Sequence, residues 1–172
     1  MAAGDIKTEY AASAAMTVTL ASLATSSTMT VGRETTEVVN STTKYRDYLL
    51  TGKITTGTSP TTAKQIRVYV WGLMEDTPTR PLNVAGSDAA LTPTGGAVCI
   101  NQIFKLAAVF TIDATSDQTY WFGPVSIANL FGGCMPKRWG VWVTHETAVN
   151  LNATAGNHAI WYTPVYDTVA LS

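Results

Sequence analysis

Apolar and polar residues alternate along this chain in short runs, with turn-forming residues between them, the pattern of half-buried strands repeated through a sandwich or barrel. Met16, Val18 and Leu20 alternate with Thr17 and Thr19 and predict a first strand. Thr28–Val31 predicts a second, which Gly32-Arg33-Glu34 breaks and Thr35–Val39 resumes. Across Tyr45–Thr55 the residues Tyr48, Leu50, Gly52 and Ile54 share one face, and Asp47, Thr51 and Lys53 the other. Gln65–Gly72 sets Ile66, Val68 and Val70 against Arg67, Tyr69 and Trp71, and the two runs are expected to be antiparallel neighbours.

From Leu73 to Ala97 the alternation stops, and three prolines (Pro78, Pro81, Pro93) and three glycines (Gly86, Gly95, Gly96) predict a long loop. Long structureless loops are uncommon and often functional, so this one is a candidate contact surface. Val98–Ile112 reads as one long or two short strands, Thr119–Ile127 as another, and Ser126–Phe131 as one helical turn closed by Gly132-Gly133. The stretch Phe131–Tyr166 holds three of the five tryptophans and both histidines in two runs, RWGVWVTH and HAIWYTPVY, expected to be the last antiparallel pair. In the first run Trp139, Val141 and Val143 share a face; in the second Ile160 and Tyr162 oppose Ala159 and Trp161.

About eight short strands and almost no amphipathic helix predict an all-β chain, a single-domain antiparallel β-sandwich. A jelly roll is preferred to an immunoglobulin-like domain, because the Cys…Trp…Cys spacing of the latter is missing. Residues 16–172 form the sandwich, and residues 1–15 an extended N-terminal arm, ordered only where it docks. The expected core includes Trp139, Val141, Val143, Val68, Val70 and Leu50. Candidate subunit or partner contacts are Ile6 and Tyr10 in the arm and Leu73, Met74, Leu82 and Val84 in the loop.

Composition narrows the function. At 172 residues the chain fits one domain, burying roughly 70% of its unfolded surface. Charged residues are 13%, about half the usual ~25%, so the surface is made of hydroxyls and small side chains or is covered by neighbours. With a net charge of -1 and no basic cluster beyond Lys137-Arg138, nucleic acid is not an expected partner. No run of 18 apolar residues spans a membrane. Asp5 and Glu9 stand where a signal peptide is basic, so the early Ala-rich run is expected to be mature structure, made without export.

Candidate chemistry is sparse. His145 and His158 have no HxH or HxxxH spacing and are expected to be solvent-facing or hydrogen-bonded strand residues rather than metal ligands. No GxSxG elbow is present, and the acidic residues are scattered. Cys99 and Cys134 are expected to be reduced, buried small hydrophobes, although a disulfide between them stays open. Trp71, Trp121, Trp139, Trp142 and Trp161 are expected mainly in the core or at subunit interfaces, with an aromatic sugar-binding platform as the alternative.

The phrases GDIKTEY, MTVTLASLATSS, VGRETTEVVNSTTKYRDYLLTGKITTGTSP, IRVYVWG, GSDAA, FGGCMPKRWGVWV and GNHAIWYTPVY resemble a family of small virion structural proteins of tailed bacteriophages and prophages. The resemblance implies a jelly-roll-like sandwich without enzymatic activity that coats or reinforces a particle. The expected role is capsid decoration or cement, and the alternative is a tail or head-fibre component, including a glycan-binding adhesin. It further implies location on the head surface of the virion after synthesis in the bacterial cytoplasm. Its partners would be the major capsid protein and copies of itself, with a homotrimer expected. No cofactor and no catalytic residue come with it. The arm is expected to add itself to a neighbour's sheet edge.

Overall fold

The computed structural model describes residues 5–75 and 79–169; residues 1–4 of the arm, Pro78 of the loop and the last three residues of the chain lie outside the described residues. The strands are β1 (Ile6–Tyr10), β2 (Ala14–Ala15), β3 (Gly32–Glu34), β4 (Val38–Val39), β5 (Asp47–Thr55), β6 (Gln65–Leu73), β7 (Ala89–Leu91), β8 (Phe104–Thr111), β9 (Thr119–Ser126), β10 (Arg138–His145) and β11 (Ala159–Val169). Two short helices, α1 (Ala97–Ile103) and α2 (Ile127–Leu130), interrupt them. One sheet runs β1-β11-β5-β9, with β2 also on β11; the other runs β7-β3-β10-β6-β8, with β4 also on β10. The pairings are antiparallel, and the fold is an all-β sandwich.

The core between the sheets follows from the alternation. Tyr48, Leu50 and Ile54 of β5, Phe122 of β9 and Ile160 of β11 meet Ile66, Val68 and Val70 of β6 and Trp139, Val141 and Val143 of β10. Trp139, Val141, Val143, Val68, Val70 and Leu50 are all at 0% exposure. Ser126 caps α2 by accepting from the Asn129 N–H, and Asp47 accepts from the Ala128 N–H, so the predicted helical turn is fastened to β5.

A second cluster lies on the opposite face of the six-stranded sheet. Tyr69, Trp71 and Leu73 of β6 and Trp142 of β10 point away from the main core and are covered by Val84, Leu91, Ile100 and Phe104. The stretch expected to be a structureless contact loop is therefore a cap. Leu73 (7% exposed) and Val84 (4%) are core residues rather than contacts: Leu73 lies on the face of β6 that the cap covers, and Val84 belongs to the cap itself. Leu82 packs half-buried against the same cluster, whereas Met74 is 58% exposed. Within the cap β7 pairs with β3, so Gly32-Arg33-Glu34 is the strand and not its interruption. Ala97–Ile103 is helical where a strand was expected, since a short apolar run fits either state; Gly95 and Gly96, at φ of +84° and +60°, turn the chain into it.

Other expectations change as well. RWGVWVTH and HAIWYTPVY lie in different sheets, as do Tyr45–Thr55 and Gln65–Gly72, because each linking segment crosses the sandwich instead of closing a hairpin. Residues 16–20 alternate in burial as expected but form no ladder: Met16 and Leu20 close one side of the core. The arm docks on its own domain, with Ile6–Tyr10 paired to Val169–Val165 and Ala14–Ala15 to Tyr162–Trp161. Cys99 is half-exposed, Cys134 is exposed and both are free, because one sits on the cap helix and the other in the turn after α2. Among the described residues no helix is long and apolar enough to cross a membrane.

Trp139 touches Tyr48 and Tyr162 at ring-centroid distances of 5.3 and 5.8 Å. Urea unfolding of Trp139→Ala is expected to show a loss of about 3–5 kcal/mol. Val39→Ala, at a position 44% exposed, is expected to stay within about 0.5 kcal/mol of the parent.

Candidate functional site

The outer face of the β1-β11-β5-β9 sheet is left open to solvent, and its side chains are fixed by what points inward. Leu50, Gly52 and Ile54 face the core, so Thr51 and Lys53 face out. Phe122 inward puts Trp121 outward; Ile160 inward puts Trp161 outward. Across the ladder Trp121 stands opposite Lys53 and Trp161 opposite Thr51, so the two indoles flank β5 from either side.

The two rings are near-parallel, 13° between planes with centroids 6.4 Å apart. Lys53 Nζ lies 5.8 Å from the Trp121 ring centre. Trp121 is 66% exposed, and Trp161 is half-buried. On the same face the Ser13 and Thr163 hydroxyls share a hydrogen bond of 2.6 Å. Lys53 has no carboxylate partner among the described residues. Flat indole faces, a free ammonium and hydroxyls suit the ring faces and polar rim of a saccharide.

A β-bulge holds β9 in place. Leu50 pairs with Val125 and Gly52 with Phe122, so one extra β9 residue fits opposite Thr51. Phe122 and Val125, three apart, both reach the core because of it. Gly123 has φ of +91°, and a Cβ there would sit 2.2 Å from the Leu50 carbonyl oxygen, so the bulge requires glycine.

The histidines serve the scaffold. His145 is fully buried, with Nε2 3.0 Å from the Leu23 carbonyl oxygen and Nδ1 3.0 Å from Thr147 Oγ1. His158 Nε2 lies 2.8 Å from the Asn152 carbonyl oxygen, and Nδ1 accepts from the Thr55 N–H at 3.4 Å. A carbonyl can only accept, so both rings carry their proton on Nε2. Together they pin the 146–158 crossover and the 20–31 segment to the sandwich. Burial lowers the pKa of His145 to about 4, against the pull of the Leu23 and Ala24 carbonyls, and His158 adds to the lowering. Burial, with Lys53 nearby, lowers His158 as well.

One buried carboxylate and two half-buried ones hold the cap. Glu34, at 0% exposure, accepts from the Ala85 and Gly86 N–H groups at 2.7 and 3.3 Å, and burial raises its pKa despite them. Glu37 joins Arg138 (2.6 Å) to Arg80 (2.8 Å). Asp88 accepts from Arg33 Nε at 2.6 Å and from the Thr19 N–H and hydroxyl at 3.0 and 2.6 Å. Burial works against its charge, but those hydrogen bonds outweigh it and its pKa is lowered. Among the described residues no group of three or more His, Cys, Asp or Glu side chains is placed to hold a metal ion.

Of the sequence candidates for contact, Ile6 (74% exposed), Tyr10 (62%) and Met74 lie at the surface; the first two share β1. Met74 lines a groove of about 560 Å³ with Asn40, Lys44, Tyr45, Met135 and Lys137. Trp71, Trp139 and Trp142 are fully buried, so Trp121 and Trp161 alone of the tryptophans reach the surface. Lys53 carries no chemical signal in the sequence, although its outward position follows from the β5 alternation. Comparison with protein-family models, with curated proteins and with solved structures finds no match to this chain in any of the three.

The lowered histidines set a pH window. Between about 6.5 and about 4 the unfolded chain takes up a proton at His145 that the folded chain refuses. Stability is therefore full above pH 6.5 and falls as pH drops to 4, by on the order of 3 kcal/mol from this residue. Urea unfolding of His145→Gln across the window is expected to show a shallower pH slope, and an unchanged slope would contradict the assignment.

Proposed function

We propose that the chain is a non-enzymatic structural protein of a tailed-phage or prophage virion, a decoration or cement protein that binds and stabilises the head shell. Strand order is the observation that supports this reading most. Counting the eight strands β1, β3, β5, β6, β8, β9, β10 and β11 in chain order, one sheet reads first-last-third-sixth and the other second-seventh-fourth-fifth. That nested order supports a jelly-roll reading, an arrangement recurrent in viral shell proteins and lectins, and it is in keeping with the resemblance of the sequence.

A cement protein works by area and multiplicity rather than by chemistry. Bound to several capsid subunits at once, it gains effective concentration for each further contact. Its partners are the major capsid protein and other copies of itself, and its charged fraction of 13% suits surfaces that spend their time covered. The arm contributes through the outer edge of β1 rather than as a free tether, since its inner edge is used by β11.

The exposed Trp121–Trp161 pair favours a second reading, a tail or head-fibre component that binds glycans. On a glycan array that reading predicts a signal lost in Trp121→Ala. Trp71→Ala, at a fully buried position, acts on folding instead.

Quantifying the chain in purified particles of the phage or prophage that encodes it tests the main reading. A fixed ratio to the major capsid protein is expected. A stoichiometry matching a tail ring or fibre moves the chain to the second reading, and absence from the particle overturns both.

A further inference from the structure

β1 is the free edge of its sheet, and it lies on a ribbon that overhangs the sandwich. β11 pairs with β5 only as far as Val165 and Asp47, whereas its pairing with β1 runs on from Val165 to Val169. Residues 6–10 and 165–169 thus form a two-stranded ribbon, an arrangement that is marginal in water by itself. The outer edge of β1 meets no strand among the described residues. Ile6, Tyr10 and Val169 are 74%, 62% and 58% exposed. An open edge with apolar side chains is a template for another strand.

The sequence of β1, Ile-Lys-Thr-Glu-Tyr, is complementary to itself when reversed. We propose that two copies of the chain associate by antiparallel pairing of their β1 edges about a two-fold axis at Thr8. In that register Ile6 faces Tyr10 of the second copy and Lys7 faces Glu9, each pair repeated across the axis, and Thr8 faces Thr8 on it. Alternation puts Ile6, Thr8 and Tyr10 on one face, beside Val169, which stands opposite Ile6 in β11. Lys7 and Glu9 lie on the other face, where they now pair within one chain at 2.6 Å.

Other registers are disfavoured. A shift of two residues sets Lys7 against Lys7 or Glu9 against Glu9, and like charges directly opposite are destabilising. A shift of one turns the apolar residues to the wrong face. The paired edges make one sheet running through both molecules, and because the contact uses the same patch twice it closes at a dimer. This two-fold contact stands on β1 alone, independent of the virion reading, and differs from the three-fold assembly expected from the resemblance.

Sedimentation equilibrium of the full chain over a concentration series tests it. The wild type is expected to be a dimer. Lys7→Glu places Glu against Glu twice and is expected to weaken the dimer about tenfold. Adding Glu9→Lys to it restores opposite charges and is expected to bring the affinity back. Lys7 and Glu9 are surface side chains, so both variants should keep the parent's circular dichroism and melting temperature. A wild type that is monomeric at every concentration, a trimer, a dimer that Lys7→Glu leaves unchanged, or a loss that the double variant does not reverse each overturns the proposal.

Discussion

Every residue of β10 from Trp139 to His145 is buried, and a strand in that position needs apolar cover on both faces. Trp139, Val141 and Val143 find it in the opposing sheet; Trp142 finds it beneath β7 and α1. The second requirement organises the middle of the chain. Residues 79–104 leave the sandwich after β6 and fold back over the outer face of the same sheet, placing Val84, Leu91, Ile100 and Phe104 on Trp71 and Trp142. Gly140 permits the close approach, since a Cβ there would sit 2.5 Å from the Trp71 ring. Where β3 and β4 part beside β10, Thr35 completes the ladder: its N–H donates to the Val141 carbonyl, and its hydroxyl accepts from the Val141 N–H.

Histidines and carboxylates, residue types that carry chemistry elsewhere, act here as pins for this arrangement. His145 and His158 fasten the segments that cross between sheets, and Glu34, Glu37 and Asp88 fasten the cap, each with hydrogen-bond partners that make its burial tolerable. With one outer face closed by the chain's own cap, the outer face around Trp121 and Trp161 and the ribbon edge at β1 are open to other molecules. The groove beside Met74 is a third opening.

Much of this was legible because burial obeys a period of two. The inward rows of β5, β6 and β10 could be read residue by residue, as could the opposite facing of Trp139 and Trp142. Which strands pair was not legible. RWGVWVTH is apolar on both faces, and nothing local says that its neighbours are β6 and β3 rather than the run that follows it. The cap reads as a loop because proline and glycine mark turns whether or not the turns are covered; the apolar content of Leu82, Val84, Leu91 and Ile100 is the signal of its burial. The exposed indole pair escaped because stacking across β5 depends on register, which a bulge at Gly123 sets.

The cap is part of the folded core rather than a loop resting on it, and the rest of the arrangement depends on that. Amide hydrogen exchange read strand by strand measures this directly. The Tyr69, Trp71 and Trp142 amides are expected to exchange only through global unfolding, along with those of Val68 and Val141. Exchange at Trp71 and Trp142 through a cheaper local opening, shared with α1 and β7, would contradict the account.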